Sequence, residues 1–275
     1  MKFVFPVALA ASLMLALPVH AQMGQTAPKS ETALAIEKAL ASPIRTAEER
    51  ARDMPERKPV QTLEFFGLKP DMSVVEIMPG SGWYTKILGQ VLAEKGTLHV
   101  AIGAARLAPR LKEWGLDKVQ VVDGKFVTRP SGQRGVFDIE TVEIPVKNAD
   151  MVLTFRNVHN WVTDGHLDDT LKAFASVLKP GGVLGVVDHR APAGASLDWM
   201  IRSGYVSEAL MEDRARAAGF RLDARSDINA NPNDTRYHVN GVWSLPPSFR
   251  GGAVDREKFA AIGESDRFTH RYVRV

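Results

Sequence analysis

There is no cysteine anywhere in the chain. That excludes disulfides, thiol nucleophiles and thiolate metal sites. An excess of one charge is missing too: 35 Lys and Arg stand against 32 Asp and Glu, a formal +3. Basic residues are interleaved with acids, so no basic block marks a nucleic-acid partner. Past the N-terminus there is no second long apolar run, no internal repeat and no low-complexity tract. Several ligand signatures are also absent. A dinucleotide turn needs a third glycine three residues after the second, and an acid about 20 residues further on. Here Thr85 holds the first position and Ala101-Ile102-Gly103 ends the next strand. No Gly-Lys-Ser/Thr follows, so the turn is not a P-loop. Pro79-Gly80-Ser81-Gly82-Trp83 has proline where a serine-hydrolase elbow needs glycine.

What is present begins with an address. Lys2 precedes an apolar run from Phe3 to Pro18, and Val19-His20-Ala21 offers small residues at a cleavage site. Residues 1–21 read as a secretory signal peptide, with an uncleaved anchor as the other reading. The run is short for a membrane span, which needs about 20 apolar residues. Export to the periplasm or medium is expected, without stable membrane insertion after cleavage. Residues 22–66 read as an N-terminal helical extension, and residues 67–275 as one α/β domain with an insertion at about 228–267, a lid or an interface. In the extension, Glu31 to Ala41 is helical, Thr46 and Glu49 form a capping box, and Pro59 opens a helix that Gly67 ends.

Strands and helices then alternate, which predicts a mostly parallel sheet covered on both faces. Strands are expected at 73–77, 97–102, 118–122 (with 126–128 as a continuing arm), 136–144, 150–155, 183–187, 220–226 and 268–275. Helices are expected at 83–93, 107–114, from about Asp164 to Val177, and at 203–218. Lys179 to Gly182 is expected as a turn, and the final strand as antiparallel, for want of a crossover helix.

The stretch Val74-Val75-Glu76-Ile77-Met78-Pro79-Gly80-Ser81-Gly82-Trp83-Tyr84-Thr85 reads as strand, tight turn and helix. Ligands of open α/β sheets sit outside the carboxyl ends of such strands. Downstream come Ala149-Asp150-Met151-Val152-Leu153, then Leu178-Lys179-Pro180-Gly181-Gly182-Val183-Leu184, then Val187-Asp188-His189. In that order these segments resemble the class I S-adenosylmethionine-dependent methyltransferase family, over about Leu68 to Val187. Arg57-Lys58-Pro59, Phe155 to Asn160, and Arg250-Gly251-Gly252 with Asp255 also resemble an exported branch of that family.

The resemblance implies a Rossmann-like, seven-stranded sheet with the seventh strand antiparallel. It implies S-adenosylmethionine as cofactor and a small-molecule substrate. Glu76, Pro79, Gly80, Ser81, Gly82, Tyr84 and Asn157 are the cofactor-side candidates. The adenine-side acid is Asp123 or Glu140, and Glu140 fits the spacing to Asp150 better. His159, after the fourth strand of that pattern, is the candidate catalytic residue. Two departures stand out. Met78 occupies a place where many members have glycine, and Ile102 stands where an acid grips the ribose. His159, Asp164, His166, Asp188 and His189 carry metal-capable groups, but their spacing is not diagnostic and no metal is expected. A non-catalytic ligand- or protein-binding module on the same fold is the alternative. No feature of the sequence sets an oligomeric state.

Overall fold

A computed structural model describes Met1, residues 28–130 and residues 137–275, except for the side chains at 128–130 and 137–141. The expected signal peptide, Met1 apart, and most of the loop at 129–135 lie outside the described residues.

Helices α1 (Glu31–Leu40), α2 (Ala47–Ala51) and α3 (Pro59–Phe66) come first. The capping box forms as its spacing predicts. Thr46 Oγ1 accepts the Glu49 N–H at 3.2 Å, and Glu49 Oε2 accepts the Thr46 N–H at 2.8 Å. Between α2 and α3 the chain makes one π-helical turn, Asp53–Arg57. The alternating part follows: β1 (Ser73–Ile77), α4 (Thr85–Val91), β2 (Thr97–Ala101), α5 (Ala108–Glu113) and β3 (Gln120–Val121). Next come β4 (Lys125–Pro130), β5 (Phe137–Glu143), β6 (Ala149–Phe155), α6 (Val158–Thr163), α7 (Leu167–Val177) and β7 (Leu178–His189). The chain closes with α8 (Leu197–Ser203), α9 (Glu208–Ala217), β8 (Phe220–Ser226), α10 (Arg256–Ile262) and β9 (Arg267–Arg274).

Seven strands form one sheet in the order β3-β2-β1-β6-β7-β9-β8. β1 runs parallel to β2 and β6, and β9 runs antiparallel to β7 and β8. The chain steps outward from β1 to β3 and then returns to β6 on β1's other side. That reversal leaves a crevice at the carboxyl ends of β1 and β6, where ligands of such sheets bind.

Both faces of the sheet are covered, which is why β1 reads as a continuous apolar run. Val75 and Ile77 enter one core with Trp161, Leu171 and Phe174 from α6 and α7. Val74 enters the other with Ile36, Leu63, Phe66, Ile87 and Leu88 from α1, α3 and α4. Each such aliphatic side chain contributes about 1.5–3 kcal/mol on burial. Glu76 shares Val74's face and points at α4, which sets up the site below.

The structure corrects several expectations. Residues 203–218 are not one helix: α8 ends at left-handed Gly204, and Ser207 caps α9 by accepting the Leu210 N–H at 3.4 Å. Asp164 itself closes α6, and it is the turn just after it, at His166, that opens the helix running to Val177, α7. The helix expected at 107–114 begins one turn earlier, as a 3-10 segment at Ala104–Leu107. Residues 179–182 belong to the β7 run. Residues 126–128 do not extend β3; β4 and β5 form a separate two-stranded ribbon. Among the described residues, no helix is long and apolar enough to cross a membrane.

Candidate functional site

The turn after β1 is held open by its backbone. Met78, Gly80 and Gly82 all have left-handed φ values, +48°, +59° and +84°. For Met78 that conformation costs about 1–2 kcal/mol. Two bonds hold it. The Met78 N–H donates to the Ala101 carbonyl at 3.0 Å, and Asn157 Nδ2 donates to the Ile77 carbonyl at 3.1 Å. Asn157, expected at the cofactor, therefore pins the turn from the end of β6. The two glycines serve different ends. A Cβ on Gly82 would meet the Trp114 ring at 2.9 Å, so that position is one of close packing. A Cβ on Gly80 would have no atom within 4 Å, so the space before it is free.

That space belongs to a cavity of about 360 Å³. Glu76, Met78, Pro79, Gly80, Ser81, Trp83, Tyr84, Phe155, Arg156 and Asn157 line it, with Arg52, Arg57, Arg267 and Pro247. Of the expected cofactor residues, Glu76, Pro79, Gly80, Ser81, Tyr84 and Asn157 thus come together, and Gly82 packs behind the turn. Glu76 is 2% exposed and accepts the Thr85 hydroxyl at 2.6 Å. Burial pushes its carboxyl up to about 7, with the Thr85 bond opposing. Tyr84 stacks on Phe155, with ring centroids 3.5 Å apart and planes 9° from parallel. Burial raises its phenol to about 12. Trp83 and Tyr84 are therefore both floor and packing.

The wall opposite Glu76 is built from distant parts of the chain. Glu264, buried in the loop after α10, meets Arg52 at 2.5 Å, Arg267 at 2.7 Å, Arg57 at 3.2 Å and Arg156 at 3.6 Å. Burial works against the carboxylate, yet Arg267, Arg57, Arg156 and Arg52 hold it well below the usual carboxylate range. The same crowding acts on the cations. Burial, with Arg156 adding like charge, brings Arg57 down to about 9. The Arg57 guanidinium lies over the Trp83 ring at 4.6 Å. Arg156 sits at φ +61° at the end of β6, another left-handed residue held in place by its surroundings. Arg57 and Arg156 fall in motif-like segments of the sequence, whereas Arg52, Arg267 and Glu264 carry no such signal.

His159 lies one layer behind this cavity and does not line it. Its Nδ1 is 3.1 Å from Asp188 Oδ1, and its backbone N–H donates to Asp188 Oδ2 at 3.2 Å. Burial opposes ionisation of Asp188, but His159 and His189 outweigh it and keep the carboxyl below its ordinary value. His189 stands 5.0 Å from the His159 ring and makes a 2.5 Å contact from Nδ1 to Ser265 Oγ. Burial drives its imidazole well below the ordinary value, with Asp188 offsetting part. His159, Asp188 and His189 form one buried group of metal-capable atoms. Arg156 and Arg267 add positive field to His189, which opposes a cation there. Asp164 and His166 are not part of that group.

The far side of the crevice is less furnished. Ile102, at φ +58°, is buried in the core and offers no polar atom. A Cβ on Gly124 would come within 3.0 Å of the Ile102 nitrogen, so the chain after β3 lies directly over the end of β2. Asp123 is exposed. Glu140 belongs by its backbone to β5, in the ribbon outside the main sheet, and its side chain lies outside the described residues. The donor set present suits a ligand with an amino-acid end: a buried carboxyl, an open backbone turn and an aromatic floor. For a ribose diol no acid is in place at residue 102.

No family model matches the sequence, and no curated protein matches it. Solved structures do match. A SAM-dependent methyltransferase from Aquifex aeolicus aligns over 88% of this chain and 98% of its own, at 17% identity and a TM-score of 0.53. The fold is that of the class I methyltransferases. The [4+2]-cyclase SpnF aligns over 83% of this chain and 81% of its own, at 18% identity and a TM-score of 0.50. The methyltransferase fold thus also occurs in a protein named for a cyclisation, and the reaction has to be argued from the site.

Proposed function

We propose that this chain is an S-adenosylmethionine-dependent methyltransferase acting on a small molecule. The observation that carries the reading is the turn after β1. Its open face at Gly80 and the buried Glu76 carboxyl stand at the crevice where the strand order reverses. The cofactor would supply a methyl group already activated on a sulfonium, ready for in-line displacement.

The residues then divide the work. The ionised form of Glu76 accepts hydrogen bonds from the ammonium of the amino-acid end. Gly80 lets the backbone approach the ligand without a side chain intervening, and the Ser81 N–H and hydroxyl beside it offer polar groups to the cavity. Asn157 keeps the turn in register with β6. Tyr84, Phe155 and Trp83 keep water from one side of the cavity, which sharpens alignment of the reacting atoms. An activated electrophile needs little acid–base help. His159, oriented by Asp188 one layer behind the cavity, would take a proton from an acceptor through a water or after a small shift.

Equilibrium binding of radiolabelled S-adenosylmethionine tests this. Wild-type protein should bind it saturably, and Gly80→Val should remove binding by filling the free space. Equal binding by both proteins would move the site elsewhere. Ile102 and the overlying Gly124 favour a second reading, a binding module with a degraded cofactor site. In that case neither protein would bind. We also propose export through residues 1–21, which periplasmic recovery of a form beginning near Gln22 would support and a purely cytoplasmic, uncleaved chain would refute.

A further inference from the structure

We propose that the arginine wall is the binding site for an oxyanion group, carboxylate or phosphate, of the methyl acceptor. This rests on the methyltransferase reading and names the acceptor's chemistry. Four guanidiniums surround one carboxylate, Glu264. The remaining acids nearby are already engaged. The Glu56 carboxylate accepts the Glu264 N–H at 2.9 Å, Asp188 is taken by His159 and His189, and Asp53 is paired with Arg45 at 2.5 Å. Even with Glu56 counted, cations exceed anions at the wall.

Uncompensated buried charge is costly, and a cluster of like charges more so. A fold that only needed to stabilise Glu264 could do so with one or two arginines. Arg57 and Arg267 are almost wholly buried and serve as the fixed part. Arg52 and Arg156, at 27% and 28% side-chain exposure, face the cavity with donors to spare. Guanidinium forks match carboxylate and phosphate oxygens in pairs. A second consideration points the same way. A cationic methyl donor beside such a wall is repelled until an anion lies between them. Arg156 adjoins Asn157, the residue that pins the cofactor turn, so the anion would be held beside the donor.

The test is titration calorimetry of the full chain with malonate, with inorganic phosphate and with S-adenosylhomocysteine, separately and in pairs. Arg52→Gln and Arg156→Gln are the variants, because their partial exposure spares the fold; unchanged melting curves check this. The expected result is saturable binding of malonate or phosphate, weakened about tenfold or more in each variant, as loss of a charge-assisted bond requires. Affinity for S-adenosylhomocysteine should be unchanged in both. Tighter malonate binding identifies a carboxylate acceptor, and tighter phosphate binding a phosphorylated one. Competition between malonate and S-adenosylhomocysteine, with Arg156→Gln weakening both, would assign the wall to the cofactor's own carboxylate and overturn the proposal. So would no saturable anion binding up to about 10 mM, about ten times the concentration that half-fills a site of about 1 mM affinity. Anion binding without any S-adenosylhomocysteine binding would instead sink the methyltransferase reading and leave an oxyanion site standing.

Discussion

Replacing Glu76 by glutamine isolates the most unusual charge in the site. The carboxyl is 2% exposed, it accepts a hydrogen bond from Thr85, and burial raises it from 4.5 to about 7. A raised acid keeps its proton in the folded state where the unfolded chain has already released it. Stability therefore falls as pH rises from 4.5 through about 7, and levels off above. At about 1.4 kcal/mol per pH unit the effect between about pH 5 and pH 8 is about 2–3 kcal/mol. Glutamine can still accept from Thr85, but its buried amide N–H groups lack partners, at about 1–3 kcal/mol. That cost is the same at both pH values. Urea unfolding of wild type and Glu76→Gln at the two pH values cancels every other titrating group. The variant should gain about 2–3 kcal/mol relative to wild type on going from pH 5 to pH 8. A difference between the proteins that stays constant within about 0.5 kcal/mol would refute the buried, neutral Glu76.

Gly80→Ala should cost only the left-handed strain, about 1–2 kcal/mol, while Gly82→Ala should cost more, because its Cβ also runs into Trp114 at 2.9 Å; thermal unfolding of the pair checks the order. Asp53→Ala leaves the fully buried Arg45 without its bidentate partner and should destabilise by about 3–5 kcal/mol in urea. His189 is buried in its neutral form, so wild-type stability should fall as pH drops below 6.5, the unfolded chain there binding the extra proton; His189→Gln should flatten that limb of the urea profile. Asp188→Asn should release the His159 ring and destabilise at pH 7, with wild-type stability from this carboxylate lost only as pH falls below the ordinary aspartate value.

The parts of the fold legible in the sequence are those set by local chemistry. β1 runs over Ser73–Ile77 as its apolar run predicts, the Thr46–Glu49 box opens α2, and Pro59 and Gly67 bound α3. The cradle was legible for the same reason: Glu76, Pro79, Gly80 and Ser81 are neighbours along the chain, so one turn brings them together. α6 was not foreseen, because six residues rich in β-branched and aromatic side chains carry no helical signal of their own; packing of Trp161 and Val158 into the core makes the helix. The break between α8 and α9 hid inside a continuing apolar spacing. The arginine wall was the least legible feature. Its members come from the turn before α3, the end of β6 and the start of β9, and only the antiparallel insertion of β9 beside β7 brings Glu264 and Arg267 to the others. The place of His159 after β6 is legible in the sequence, whereas its pairing with Asp188 needs the parallel register of β6 and β7.

Titration calorimetry of the chain with S-adenosylhomocysteine tests the central claim most directly. One site should saturate, with affinity higher at about pH 8 than at pH 6, because Glu76 must ionise to meet an ammonium. Gly80→Val should abolish the heat. No heat at about 1 mM ligand at either pH, or the same isotherm in Gly80→Val, would contradict a methyl-donor site at this turn.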